Sequence, residues 1–576
     1  MKWITLGAFL KPTEVIVMIK IVALATLALG INLVSGAQQN PLSTRVNSLS
    51  SLEAIDLGSP DMSVVVEEDR VQEESGGMEN FGRILFADIN AAENGIWEVL
   101  PDGSRIWRIM LKSPGALGCA IYLDEMRLPE GSSMFVYDPN YVVVDGPYTR
   151  EQEDVHGRFA TGTVFGDQIV LEFNQPASAT GELLEDPVLS FYGLAHFYRH
   201  IFDEYAMYQD ILSEDAVAEV RGGGADACQV DANCPEGNNW QQQKDAVVRL
   251  QIVDGQFVGL CSGVLMNTTA RDCRQYLLSA LHCAVGVSDA DLAFLQVRFN
   301  YEKPLCGSGF FPQNRNVTGV THLADSNDGG GESGSDFVLF EIEDEIPDSW
   351  DPFFAGWRST TAGSSSGVSI HHPSGDVKKI STYTTSLQSV WLGAPGSHWQ
   401  VNWAPTITEH GVTEGGSSGS PIFDSGKRVI GTLTGGNSFC ADPFEPDYYG
   451  KMSYHWSNNP NAANQKLREW LDPIGTDETI MDGSYRPCSQ VVSIREEAGL
   501  ADVQVYPNPT NGQITLRSDA GIISVDVYDA MGRLVKSENP SAFRPVIDIT
   551  EVSPGVYFLL IQLTDGSEVM HQVQRY

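Results

Sequence analysis

From residue 81 onward the chain repeats one pattern, short runs of β-branched and aromatic residues broken by turn formers. IWRIMLKS, AIYLDEM, SMFVYD and QIVLEF read as strands, with PDG, PEG, DPN and FGD as turns. They predict a small β-rich unit over residues 81–205. FYRHIFDEYAMYQDILSEDAVAEV (197–220) reads as a helix, ended by RGGGADA. Short strands then return at turn-spaced intervals through 228–475: AVVRLQIV, FVGLCSGVLM, QYLLSALHC, FLQVRFNY, DFVLFEI, HWQVNW, SPIF and RVIGTL. Such spacing with glycine-rich turns predicts a β-barrel or a sandwich pair. NQKLREWLD closes the block as a helix stopped by Pro473. Residues 476–502 read as a linker. After it, VYPNPTNGQITLRS, SVDVYDAMGRLVKS and GVYFLLIQLTDGSEVMHQV alternate as strands joined at NG, MG and DG, predicting a compact β-sandwich over 503–576. Residues 38–80 are polar and acidic, and read as partly mobile.

Bulk properties narrow the function. A net charge of −39 argues against nucleic-acid binding, which needs a basic footprint. Residues 21–37 form an apolar run after Lys20, ending in small residues, with Ser35 and Ala37 suiting a signal-peptidase site. Residues 1–37 are therefore expected to be a signal peptide, with the start at Met1 or Met18; a membrane anchor is the alternative. Export makes disulfides available to the nine cysteines. Seven lie between 228 and 440, while Cys119 and Cys488 stand outside. No CxxC or Cys/His ligand spacing occurs, so neither a metal nor another cofactor is expected.

One stretch, EGGSSGSPIF (414–423), invites two readings. Composition suggests a flexible linker. The flanking strands suggest a tight loop whose glycines let successive N–H groups aim at one point, as an oxyanion hole requires. A serine nucleophile also needs a histidine base and a buried carboxylate on separate loops. YLLSALHC delivers His282 on an apolar run, with Cys283 beside it. His371 and His372 are rivals, but they precede Pro373 in SIHHPSGD and read as turn residues. SDFVLFEI puts Asp336 at the head of an apolar strand, where a carboxylate is costly unless paired. A plain strand cap is the competing role.

These motifs resemble those of chymotrypsin-like serine proteases, whose nucleophile signature is Gly-x-Ser-Gly-x-Pro. Over residues 228–472 the chain is similar to their lysyl endopeptidase branch, through ACQVDANCPEG, YLLSALHC, SDFVLFEI, FFAGWR, SIHHPSGD, GVTEGGSSGSPIF, KRVIGTLTGG and REWLDP. The resemblance implies a mainly β fold, with a double β-barrel protease domain at 222–475. It implies a triad of His282, Asp336 and Ser418, with the N–H groups of Gly416 and Ser418 as the oxyanion hole. It implies disulfides Cys228–Cys440, Cys234–Cys306 and Cys261–Cys283. It also implies substrate contacts from Asp447, Thr434, Gly435, Gly436 and Trp391, with cleavage after Lys, Arg or both. Asp442 and Glu445 fit a solvated acidic loop better. Thr434 stands where the lysine-selective member has histidine, which leaves the Lys/Arg preference open. Ser417 stands where trypsin-type zymogens carry an aspartate switch. Latency is thus expected from a β-rich propeptide at 38–221, cut after Arg221. Residues 503–576 resemble the sorting domain of the type IX secretion system of Bacteroidetes, through VYPNPTNGQITL, VYDAMGRLV and SPGVYFLLI. Expected partners are protein or peptide substrates and that secretion machinery, with no nucleic acid, and membrane association only through surface attachment. A secreted or cell-surface monomer is expected. The alternative function is an inactive cell-surface protein that binds basic peptides. A lipase fits less well, since the Ser418 loop fails Gly-x-Ser-x-Gly and opens into a strand.

Overall fold

The fold is taken from a computed structural model. It describes residues 40–46, 50–74, 77–153, 157–177, 185–199, 224–308, 315–486, 488, 503–508, 510–518, 521–529, 533–540, 545–564 and 568–576. The expected signal peptide, Arg221 and most of the 197–220 helix lie outside these residues; Phe197 itself ends a strand, Val188–Phe197. The chain divides into two compact units, 1–487 and 488–576.

The larger unit is built from sheets. Strands Val247–Asp254 and Phe257–Met266 form a hairpin in full register, from Val247 opposite Val264 to Asp254 opposite Phe257. Tyr276–Ser279 pairs with Phe257–Met266 on one side and with Val338–Ile342 on the other. Val248, Leu250, Leu265, Leu277, Val338 and Phe340 fill the centre of this first barrel. The second barrel runs Lys379–Tyr383, Gly367–His371, Pro421–Asp424, Val429–Gly436, Asp447–Lys451, Ala394–Val401, Gln388–Leu392. Its own core holds Trp399, Trp403, Ile422, Leu433 and Tyr449. A further cluster spans both barrels, with Val264, Phe337, Trp357, Ile370 and Phe423. Two antiparallel barrels packed on a shared apolar seam are the chymotrypsin-like arrangement. The short helix Leu467–Leu471 closes the block, ahead of Pro473.

The N-terminal strands form a six-stranded sheet around Arg105–Lys112 and Gln168–Gln175, and contribute five further strands to a twelve-stranded sheet that is shared with the first barrel. The join is Asn80–Phe86, which pairs with Val188–Phe197 on one side and Phe257–Met266 on the other. Within 38–80, read as polar and partly mobile, Met62–Glu74 is a helix. Its anchor is Asp69, 5% exposed. Asp69 accepts hydrogen bonds from Arg83 (2.7 Å), Tyr198 (2.8 Å) and Arg199 (2.8 Å).

Cys228–Cys440, Cys234–Cys306 and Cys261–Cys283 are disulfide-bonded. Cys119 is a buried free thiol, which burial pushes far above the usual range. The smaller unit is a β-sandwich. Its three-stranded sheet is Gln504–Tyr506, Gln513–Arg517, Val546–Asp548, and its four-stranded sheet is Leu534–Glu538, Ile522–Asp529, Gly555–Leu563, Glu568–Arg575. Ile514, Leu516, Val525, Val527, Leu559 and Ile561 alternate inward to make its core.

Candidate active site

His282 sits in the 3-10 turn Leu281–Cys283, just past strand Tyr276–Ser279, and the Cys261–Cys283 bond ties that turn to the neighbouring strand. Both oxygens of the fully buried Asp336 serve it. The His282 backbone N–H donates to Oδ1 (2.8 Å), and ring Nδ1 lies 2.7 Å from Oδ2. A carboxylate only accepts, so the ring proton sits on Nδ1 and Nε2 is left as a base. Burial pulls the His282 pKa down, but the charge and hydrogen bond of Asp336 outweigh it, and the value lies above the ordinary one. Asp336 holds a left-handed backbone (φ 56°), uncommon outside glycine. A second carboxylate fixes that turn: Asp328 Oδ2 accepts from the N–H of Ser335 (2.6 Å) and of Asp336 (3.3 Å). Sequence reasoning missed Asp328, which only its position in the loop before Asp336 could have flagged.

Ser418 lies half-buried in the loop between Gly411 and Pro421. Its carbonyl accepts from Ser262 N–H (2.8 Å), which ties the loop to the first barrel. Gly416 (φ 81°) and Gly419 (φ 79°) are left-handed, and both are crowded. A Cβ on Gly419 would meet Ser279 Oγ at 2.1 Å, and one on Gly416 would meet Gly375 N at 2.9 Å. The N–H groups of Ser417, Gly419 and Ser420 are bonded to Glu414 O, Leu433 O and Ser417 O. Those of Gly416 and Ser418 have no acceptor among the described residues. Two unengaged donors thus flank the hydroxyl, as acyl-oxygen stabilisation requires. Among the described residues, Ser418 Oγ and His282 Nε2 also lack hydrogen-bond partners. The structure therefore joins Asp336 to His282 and leaves the serine–histidine pair unbonded, a contact that often tightens only with substrate.

His282, Thr434, Gly435, Gly436 and Tyr448 line a cleft of about 630 Å³. Asp447 lies behind its wall: a Cβ on Gly436 would come within 1.9 Å of Asp447 Oδ1. The Asp447 carboxylate accepts from Trp403 Nε1 (2.6 Å), Thr413 Oγ1 (2.7 Å), Ser438 Oγ (2.6 Å) and Ser438 N–H (3.0 Å). Burial raises its pKa against these donors. Asp442 and Glu445 are exposed. Trp391 is 72% exposed on strand Gln388–Leu392, while its neighbour Leu392 reaches the cleft. Thr434 Oγ1 is 3.0 Å from Nε2 of the buried His398, a partner the sequence did not reveal. Burial holds that imidazole down at about 4. His371 and His372 are both fully buried: His371 ends strand Gly367–His371 and is not a turn residue, while His372 caps the 3-10 turn Pro373–Gly375.

The N-terminal region enters the same cleft. Gly77 lines it beside His282. Met78 is 4% exposed and packs on Gly259, where a Cβ would lie 2.3 Å from the methionine Cε. Glu79 O accepts from Leu260 N–H (3.2 Å), and its carboxylate lies against Gly415, 1.6 Å from where a Cβ would be.

Two parts of the chain match known protein families. Residues 222–450 match the family "Lysyl endopeptidase, C-terminal domain", and residues 504–573 match "Secretion system C-terminal sorting domain". A lysyl endopeptidase of Pseudomonas aeruginosa is 28% identical over 384 residues, covering 62% of this chain and 75% of the relative. Among solved structures, a protease Anisep from Arthrobacter nicotinovorans is 14% identical, covering 36% of this chain and 90% of its own, with a TM-score of 0.26. A thermostable serine protease AL20 from an extremophilic microorganism is 13% identical, covering 36% and 92%, also at 0.26. The sorting domain marks the chain for export, to the medium or the outer cell surface. Residues 222–450 thus match the C-terminal domain of lysyl endopeptidases, residues 504–573 match a secretion sorting domain, and the chain is a serine endopeptidase.

Proposed function

We propose that this endopeptidase cuts on the carboxyl side of Lys, Arg or both, through an acyl-enzyme. The observation that carries the mechanism is the pairing of His282 with Asp336 opposite a loop whose Gly416 and Ser418 N–H groups have no acceptor among the described residues. Ser418 Oγ attacks the scissile carbonyl while His282 Nε2 takes its proton. The carbonyl oxygen, now an anion, is held by the two N–H groups. His282 passes the proton to the leaving amine, and the carbon–nitrogen bond breaks. Water then repeats the sequence on the acyl-enzyme and frees Ser418. Asp336 keeps the ring in its Nδ1–H form and stabilises the imidazolium between the steps. Substrate backbone adds to the Thr434–Gly436 edge as an extra strand. Asp447 supplies the negative charge behind that edge for a basic side chain.

Residues 38–221 fit the role of an inhibitory propeptide, cut after Arg221. The support is the run Gly77–Glu79, which occupies the space beside His282 and the Ser418 loop. Cleavage-site profiling on a peptide library tests the specificity. Basic residues before the cut, and about a 10²-fold loss of their cleavage in Asp447→Asn, are expected. Cleavage without a basic preference would overturn the Asp447 assignment. Fluorophosphonate labelling that disappears in Ser418→Ala separates the enzyme from the alternative, an inactive binder of basic peptides. An intact full-length Ser418→Ala chain, from a host lacking proteases that cut there, would place processing on the enzyme's own activity.

A further inference from the structure

We propose that His371 is a positioning residue of the hydrolytic site: its imidazole, clamped between two serines, holds the loop that carries the oxyanion donors. The inference rests on the proposed role of Gly416 and Ser418.

The direction of each hydrogen bond follows from the partners. Ser381 Oγ donates to Val412 O (2.9 Å), so it accepts the Nε2 proton of His371 (3.0 Å). Nδ1 is then the acceptor, and Ser417 Oγ donates to it (2.7 Å). Ser417 Oγ in turn accepts from Glu414 N–H (3.1 Å). Every polar atom in this chain is engaged, and His371, Ser381 and Ser417 are all 0% exposed. Burial, with Lys379 nearby, keeps His371 uncharged, holding its pKa down at about 3. The chain begins at Val412 and ends at Glu414, on the run into the nucleophile loop.

The turn after His371 grips the same loop a second time. Ser374 N–H donates to Gly415 O (2.6 Å), and Ser374 Oγ donates to Glu414 Oε2 (3.0 Å). In a trans peptide the C=O and N–H point opposite ways. Fixing Gly415 C=O on Ser374 therefore turns Gly416 N–H away from that turn. Ser420 N–H on Ser417 C=O (3.0 Å) does the same for Ser418 N–H. From the first barrel, Ser262 Oγ donates to Gly416 O (2.9 Å) and accepts His372 N–H (3.0 Å). The SIHHPSGD segment is thus the backing plate of the loop. It sets the donors without any ion pair to a freed amino terminus, and it replaces the aspartate switch that Ser417 lacks.

The test uses the processed full enzyme. His371→Ala and Ser417→Ala should each lower kcat about 10²-fold, the scale of one lost oxyanion donor, with KM within about threefold. The double variant should lose no more than either single one, since the two side chains act as a unit. His371→Gln, which keeps a donor and an acceptor, should recover most of the rate. A peptide aldehyde, which forms an oxyanion, should bind about 10²-fold more weakly. Benzamidine, which reports only the basic-side-chain pocket, should bind unchanged. Equal weakening of both ligands, or wild-type kcat in either alanine variant, would overturn the inference. If His371→Ala does not fold, Ser417→Ala, which removes a single oxygen, decides alone. Wild-type enzyme that takes no fluorophosphonate at Ser418 would instead sink the hydrolase reading itself.

Discussion

Asp336 serves one histidine with both oxygens, so on the proposed mechanism the pH dependence of the enzyme is written in that pair. The base must be neutral to accept a proton. Activity should rise with pH through an ionisation above the ordinary histidine value, because the Asp336 charge outweighs burial. Asp336→Asn removes the charge and leaves burial to act, so the ionisation should move below that value while kcat falls about 10⁴-fold. A pH–rate profile of both proteins checks it; an unmoved ionisation would assign the limb to another group. His371 and His398 do not compete for this role, since burial holds them at about 3 and about 4. At this scale the sequence was legible wherever chemistry is compressed into a motif, as in GSSGSP and ALHC. It was opaque where partners meet across the fold. His398 reaches Thr434 from 36 positions away, and no local pattern announces that. His371 read as a turn residue because Pro373 follows closely, yet strand pairing to Lys379 carries it into the interior.

Strands were the most readable elements. FVGLCSGVLM coincides with Phe257–Met266, because a short apolar run after the Gly255 turn has few places to go other than a strand buried on both faces. Helix Met62–Glu74 was missed for a physical reason. Its polar surface gives little periodicity, and its anchor is the ionic cluster of Asp69 with Arg83 and Arg199, assembled from distant segments. That cluster, with Arg83 also lying 4.2 Å over the Phe257 ring, holds strand Asn80–Phe86 against the first barrel. Met78 is the apolar contact nearest the cleft. In a full-length chain with processing blocked by Arg221→Gln, fluorophosphonate labelling of Ser418 should be slow. Met78→Asp buries an unpaired charge against Gly259, so it should loosen the segment and speed labelling about tenfold or more. Equal rates would mean that Gly77–Glu79 do not guard the site.

Two separate units make up the whole molecule, and the linker read at 476–502 is only part linker: Ile480–Met481 and Ser484–Tyr485 are strands paired with Trp357–Arg358 and Phe353–Phe354 of the larger unit, and the division falls after residue 487. The smaller unit has its own closed core. Deleting 503–576 should leave fluorophosphonate reactivity unchanged while the protein accumulates in the periplasm. Fractionation checks this, and normal release would make the unit an adhesive module instead. The larger unit carries a different message. One continuous twelve-stranded sheet runs from the N-terminal region into the first barrel through Asn80–Phe86. A cut after Arg221 removes one covalent connection and none of the hydrogen bonds of that sheet. On the proposed cut, maturation would have two clocks. The first would be the cleavage itself, which would leave a nicked but still occluded complex. The second would be the dissociation or digestion of a bound fragment, set by dilution and by other proteases. On that proposal, an exported enzyme would stay silent after the cut until the fragment leaves.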